Sequence, residues 1–232
     1  MYNESGAKMT INNSAISGNT AANDCRNFPC FTAGGGIYNK PFGQLTINNS
    51  TISGNSAPIG SGIYNIRGTV TIKNTTINGN RGDSGLAADA VFGSGGAVTM
   101  SNTTVAGNYG AGIVVTDSGT ATLQNSIVAN NLVNCFGVTS NGYNLSSDTN
   151  CKFNGPGDMN SIDPKLGPLQ NNGGPTRTMA LPSGSPAIDA GSPSGCSDSR
   201  GRLLKTDQRG MPRPDKEDTG GCDIGAYEQQ SD

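Results

Sequence analysis

Hydrolysis of a glycosidic bond asks for two carboxyl groups at a set separation, one to protonate the leaving oxygen and one to assist attack. The regularly patterned first part of this 232-residue chain offers Glu4, Asp83, Asp89 and Asp117, each a singleton, with no Asp-Asp or Asn-Thr-Asp cluster. Histidine is absent from the whole chain, which removes the commonest general base and metal ligand together. Elimination chemistry would instead use a Lys or Arg as base, and Lys40, Arg67 and Lys73 are the candidates, on or near one strand of the repeat described below. Isolated basic residues are more often solvated surface. Asp158, Asn160 and Asp163 carry the oxygen ligands that Ca²⁺ takes, although Asx turns use the same residues, so calcium is not established and no other cofactor is implied. Arg81-Gly82-Asp83 spells an integrin-type tripeptide, a pattern short enough to arise by chance.

The six cysteines fall as three sequence-near pairs without zinc-site spacing. Near-neighbour pairing closes loops that leave the repeat, which predicts the disulfides Cys25–Cys30, Cys135–Cys151 and Cys196–Cys222 and an oxidising compartment. A net charge of -2 offers no basic footprint for nucleic acid, and no apolar run is long enough for a membrane span. With 33% hydrophobic residues, 35 glycines and no tryptophan, a wide globular core is excluded. The low charge argues equally against disorder, so the order must come from repetition.

Residues 9–19, 45–55, 70–80, 98–108 and 121–131 superpose on one another, with starts 36, 25, 28 and 23 residues apart. Such self-similarity with variable spacing indicates a solenoid whose coils carry loops of different length. Their first and third positions are apolar (Met9 and Ile11 through Ala121 and Leu123), while the second is Thr10, Thr46, Thr71, Thr99 or Thr122. That alternation is a strand with one buried face. A second strand precedes each segment, read from Ile37-Tyr38-Asn39, Ile63-Tyr64-Asn65, Val91-Phe92 and Ile113-Val114. Two asparagine positions recur, Asn13, Asn49, Asn74, Asn102 and Asn125 at one, Asn19, Asn55, Asn80, Asn108 and Asn131 at the other. Stacked coils bring such residues to about 4.8 Å, within reach of amide ladders. The outward neighbours of the threonines, Asn12, Asn48, Lys73, Ser101 and Gln124, are too mixed for an ice-binding plane.

The pattern Gly-Gly-Gly-Ile-Tyr-Asn followed by Leu45-Thr-Ile-Asn-Asn-Ser-Thr-Ile-Ser-Gly-Asn55 resembles the repeats of bacterial right-handed β-helix surface proteins, including those related to polymorphic outer-membrane proteins. Asn172-Gly-Gly-Pro-Thr-Arg177, Gly184-Ser-Pro-Ala-Ile-Asp189, Thr206-Asp-Gln-Arg-Gly210 and Cys222-Asp-Ile-Gly-Ala-Tyr-Glu228 resemble the C-terminal module of choice-of-anchor Q proteins, a module that precedes a variable anchor. The resemblance implies an all-β fold: parallel β-helix coils over residues 1–132 and, over 133–232, an irregular last coil with a disulfide-stapled C-terminal cap. Within that cap Arg209, Asp189 and Glu228 are read as structural ion partners. Tyr2 stands at the place of Tyr38, so the chain is expected to begin inside a coil. An export signal would then lie upstream, and the exposed first coil is expected to promote self-association.

In this register Tyr2, Tyr38, Tyr64 and Phe92 share the position after an inward residue and should form an outward file that Val114 ends. Glu4, Lys40, Ile66 and Thr116 flank it, with Glu4 and Lys40 able to pair between coils and Arg67 close by. Such a file serves either as a platform for sugar rings or as a self-supporting aromatic stack. The expected role is an adhesin-like scaffold, secreted or at the cell surface, with extracellular polysaccharide or surface glycan as partner. The alternative is a polysaccharide lyase or glycoside hydrolase acting on the same face.

Overall fold

The computed structural model describes residues 1–21, 33–82, 89–215 and 221–230. Cys25, Cys30 and Asp83 lie outside them. Parallel strands Tyr2–Asn3, Ile37–Asn39, Ile63–Ile66, Val91–Ser94, Ala111–Thr116 and Val133–Phe136 stack in that order as one six-stranded sheet, the aromatic face. The threonine segments form a second parallel stack in which Ile11, Ile47, Ile72, Met100 and Leu123 are consecutive partners. All five are buried. The sheets close into an all-β parallel helix whose interior is a column of Ile, Leu, Val and Met.

Each coil has three sides where the sequence pattern suggested two. Asn13, Asn49, Asn74, Asn102 and Asn125 all adopt the left-handed conformation, with φ between 43° and 53°. A single such residue bends the chain without ending it, and asparagine tolerates it because its short amide satisfies local backbone groups. Beyond the bend lies a third face, with Ile16, Ile52 and Ile77 in register and Val105 and Val128 continuing the row. In Thr69–Asn78 and Ala97–Ala106 the strand runs through the bend uninterrupted. The first asparagine position is therefore a corner, and among the described residues only Asn125 and Asn102 of this row bond to each other side chain to side chain.

The second asparagine position does form a ladder. The amide donates from Asn19 to Asn55 (2.8 Å), Asn55 to Asn80 (3.0 Å), Asn80 to Asn108 (3.0 Å) and Asn108 to Asn131 (2.8 Å), and Asn131 passes it on to Asn134 (3.1 Å). A shorter internal ladder joins Asn3, Asn39 and Asn65 through bonds of 2.7 Å. From Asn55 to Asn108, and from Asn3 to Asn65, each amide thus satisfies its neighbour in a place closed to water.

Past residue 132, where the sequence predicts an irregular last coil, the coils continue before the chain becomes irregular. Val133–Phe136, Val138–Ser140, Leu145–Ser146 and Met159–Asn160 continue the parallel stacks. The end of the solenoid core is closed by the Cys135–Cys151 disulfide with Phe153, all buried in it. The remaining chain, from about residue 161, turns back along the side of the solenoid as a lateral layer. Leu181, Ala187 and Ile224 pack on Ile127, Ala129 and Leu145 of the third face in a second apolar cluster. Further along, Gln208 accepts from Thr76 Oγ1 (2.7 Å) and donates to Thr51 Oγ1 (3.0 Å). The Cys196–Cys222 disulfide sits in this layer against Asn125, whose amide donates to Cys196 Sγ and to the Asp223 carbonyl. Glu228 pairs with Arg213 (2.6 Å) and Arg209 with Asp207 (2.7 Å). Asp189, read as an ion partner, is instead exposed at a left-handed turn.

Candidate functional site

Alternation in a strand turns the residue after each inward Ile or Val outward, and stacking in register then brings equivalent side chains together. Tyr2, Tyr38, Tyr64 and Phe92 are consecutive partners, with ring centroids 5.6, 5.0 and 5.5 Å apart. The first two pairs are tilted by 49° and 59° and the last is stacked at 17°. Tyr2 is 59% exposed, and the other three are half-buried by their neighbours. Burial also pushes the Tyr64 hydroxyl above its ordinary pKa. Beside the file Lys40 Nζ bonds Glu4 Oε2 at 2.7 Å and lies 5.5 Å from the Tyr2 ring centroid, which combines an ion pair with a cation–π contact. The bond to Glu4 raises the Lys40 pKa. Arg67 sits exposed in a left-handed turn after the third of these strands, with its main chain bonded to coils on both sides. The result is a half-apolar surface of tilted rings bordered by a charge-neutral pair.

The other charged candidates are drawn into structure. Asp117 is exposed and accepts from Ser94 Oγ (2.8 Å), whereas Asp89 is buried, which pushes its carboxyl up to about 6. Lys73 belongs to the threonine strand, a correction to its placement beside Lys40 and Arg67, and it reaches Asp198 of the lateral layer at 3.3 Å. Asp158 accepts from the Asn144 and Gly155 amides, and Asn160 bonds both main-chain groups of Phe153. Those side chains act as turn fasteners, and among the described residues no group of three or more His, Cys, Asp or Glu forms a metal-binding cluster. The lateral layer holds the strongest electrostatic perturbations. Burial raises Glu228 to about 8 although Arg213 opposes it, and raises Asp223 to about 6. A cavity of about 440 Å³ opens where the layer stands off the threonine face, between Asn12, Asn48 and Lys73 on one side and residues 203–206 on the other.

Parallel stacks joined by left-handed corners, with asparagine ladders between coils, describe the same stretch that the family model for the right handed beta helix region matches, residues 1–163. The chain belongs to the right-handed β-helix family. No curated protein and no solved structure matches it. The family match ends close to Met159–Asn160, the last strand in the coil stack, so the lateral layer is an addition to the β-helix. Among the described residues no helix is long and apolar enough to cross a membrane. The disulfides Cys135–Cys151 and Cys196–Cys222 point to an oxidising environment.

Two features of this β-helix escaped the sequence pattern. Beyond Val114, which ends the contiguous file, the partner in the next coil is a further aromatic, Phe136, 63% exposed. Cys135 holds the inward place there, so a pattern sought as Ile-Tyr or Val-Phe misses the pair Cys-Phe. The cavity against the threonine face has no sequence signal at all, since its two walls are separated by more than a hundred residues and meet only because the chain doubles back.

Proposed function

We propose that this β-helix protein is an extracellular or cell-surface scaffold of adhesin-like character, and that it binds glycans on its aromatic face. The observation that carries this reading is the outward file Tyr2–Tyr38–Tyr64–Phe92. Separations of 5.0 to 5.6 Å are comparable to the advance of one sugar unit along an extended polysaccharide, so successive sugar rings would meet successive aromatic rings. The apolar C–H faces of a sugar stack on such rings, while Glu4 and Lys40 at the border accept from and donate to its hydroxyls. A binding role is favoured over catalysis because Glu4 is committed to Lys40, and the buried Glu228 and Asp207 to Arg213 and Arg209. The C-terminal motifs support placement among surface proteins of the choice-of-anchor Q type.

The test is the double substitution Tyr38→Ala with Tyr64→Ala, probed on immobilised neutral and acidic polysaccharides. Loss of binding with an unchanged far-ultraviolet dichroism spectrum is the expected result. Binding that survives the double substitution would overturn the aromatic-face reading, and release of reducing ends or unsaturated products from the same polysaccharides would replace the scaffold with an enzyme.

A further inference from the structure

On the threonine face the outward column next to the threonines reads Asn12, Asn48, Lys73, Ser101 and Gln124 in register. The lateral layer covers one end of it, where Ser101 is buried and Gln124 donates to Ser197 Oγ (3.2 Å). Over the other end it stands clear and leaves the cavity of about 440 Å³ floored by Asn12, Asn48 and Lys73 and walled by Asn74, Lys205 and Thr206. That volume lies in the range of small-molecule sites, about 300–1,000 Å³.

We propose that this cleft is a second binding site, distinct from the aromatic face, and that it takes an acidic saccharide. Carboxamides line it: Asn74 is engaged with the Thr206 carbonyl (2.8 Å) and Arg213 Nη1 (3.3 Å), while Asn12, Asn48 and Asn49 present carboxamides whose donors and acceptors complement a sugar hydroxyl. No carboxylate lines it. Asp198, the carboxylate that Lys73 contacts, is occupied: it accepts from Arg202 Nε (3.0 Å) and Nη2 (2.7 Å) and from the Arg200 and Arg202 amides. Two cations, Lys73 and Lys205, line the cleft, which leaves its lining positive. Lys73 uses one of its three donors, at 3.3 Å, so its ammonium has capacity for an incoming anion. The floor is also incomplete in its own bonding. Asn48 Nδ2 donates to Asn12 Oδ1 (2.7 Å), but the enclosed Asn48 Oδ1 has no donor. Such an acceptor is costly to leave unpaired, and a ligand hydroxyl meets it once the carboxamide turns toward the cleft.

The acid carried by the sugar is a carboxylate or a sulfate ester, and the test separates them. Glucose, glucuronate and glucose 6-sulfate are titrated into the ¹⁵N-labelled protein, with the side-chain amides of Asn12, Asn48 and Asn74 as reporters. Saturable shifts of these amides with at least one of the two acidic sugars, and none with glucose, are expected, with the better binder naming the acid. Lys205→Gln, at an exposed position that leaves the Lys73–Asp198 contact in place, should weaken binding on the order of tenfold, the loss of one charge-assisted contact. The Tyr38→Ala/Tyr64→Ala protein should bind the acidic sugar unchanged, so that failure of one site is distinguishable from failure of the other. Equal shifts with glucose, no shift with either acid, or full affinity in Lys205→Gln would each overturn the proposal.

Discussion

The coil stack and the lateral layer solve the same problem, ordering a chain poor in apolar residues, by opposite means. Each coil repeats one inward apolar set and one asparagine rung, so every added coil buries its neighbour's edge and nearest-neighbour contacts supply the stability. The layer has almost no regular structure. Its strands are the two-residue pairs Leu169–Gln170 and Thr178–Met179. It is held by a disulfide, by two ion pairs almost wholly shielded from water and by polar side chains reaching the third face. The coils are thus held by many equivalent contacts of modest strength, and the layer by a few that have no substitute.

The largest expected effect follows from that difference. Arg213→Ala leaves Glu228 buried without its partner and should destabilise by about 3–5 kcal/mol. The loss should be confined to the layer: hydrogen exchange should accelerate at the Ala226 and Gly225 amides, which bond the third face, while the coil strands stay protected. One shared unfolding transition for both regions would break the comparison.

Ile72→Ala, in the middle of the core column, should cost about 2–5 kcal/mol. Here protection should fall in the flanking coils first, as a one-dimensional stack requires, with the layer following only as its support loosens. Asn80→Ala removes a rung that accepts from Asn55 and donates to Asn108 and to the Ile52 carbonyl. With buried groups left unpaired on both sides, a loss of about 1–3 kcal/mol is expected in chemical denaturation.

A pH dependence is also expected, and its sign differs between groups within the layer. Glu228 and Asp223 are raised to about 8 and about 6, so their contribution is fully present below their ordinary carboxylate values and is lost as pH rises through about 6 and then about 8. Asp198 runs the other way: hydrogen bonds from Arg202 and Arg200 outweigh its burial and hold it at about 2, so its contribution is present above its ordinary value of 3.8 and lost as pH falls through about 2. The layer should therefore be most stable in mildly acidic solution. Thermal melts between these limits, followed in wild type and in Asp89→Asn to remove the one raised carboxyl identified in the coils, should show a decline toward alkaline pH in both proteins.

What the amino-acid sequence determined by itself was everything that repeats. Alternation placed Ile47 inside and Tyr38 outside, and superposition of the segments set the register from Met9 to Leu123, because a one-residue slip would turn every side chain to the wrong face. The aromatic file and the Glu4–Lys40 pair follow from that register alone. The corner at Asn13 and its equivalents was legible as a turn, but not as a bend within a strand, since one left-handed residue leaves the alternation on either side intact. Tertiary structure decided where the aperiodic chain goes. Neither Gln208 beneath Thr76, nor Asp198 against Lys73, nor the cleft between Asn48 and Lys205 has a local pattern. Those contacts join residues more than a hundred positions apart, and their partners are chosen by the shape of a face that exists only once the coils have stacked.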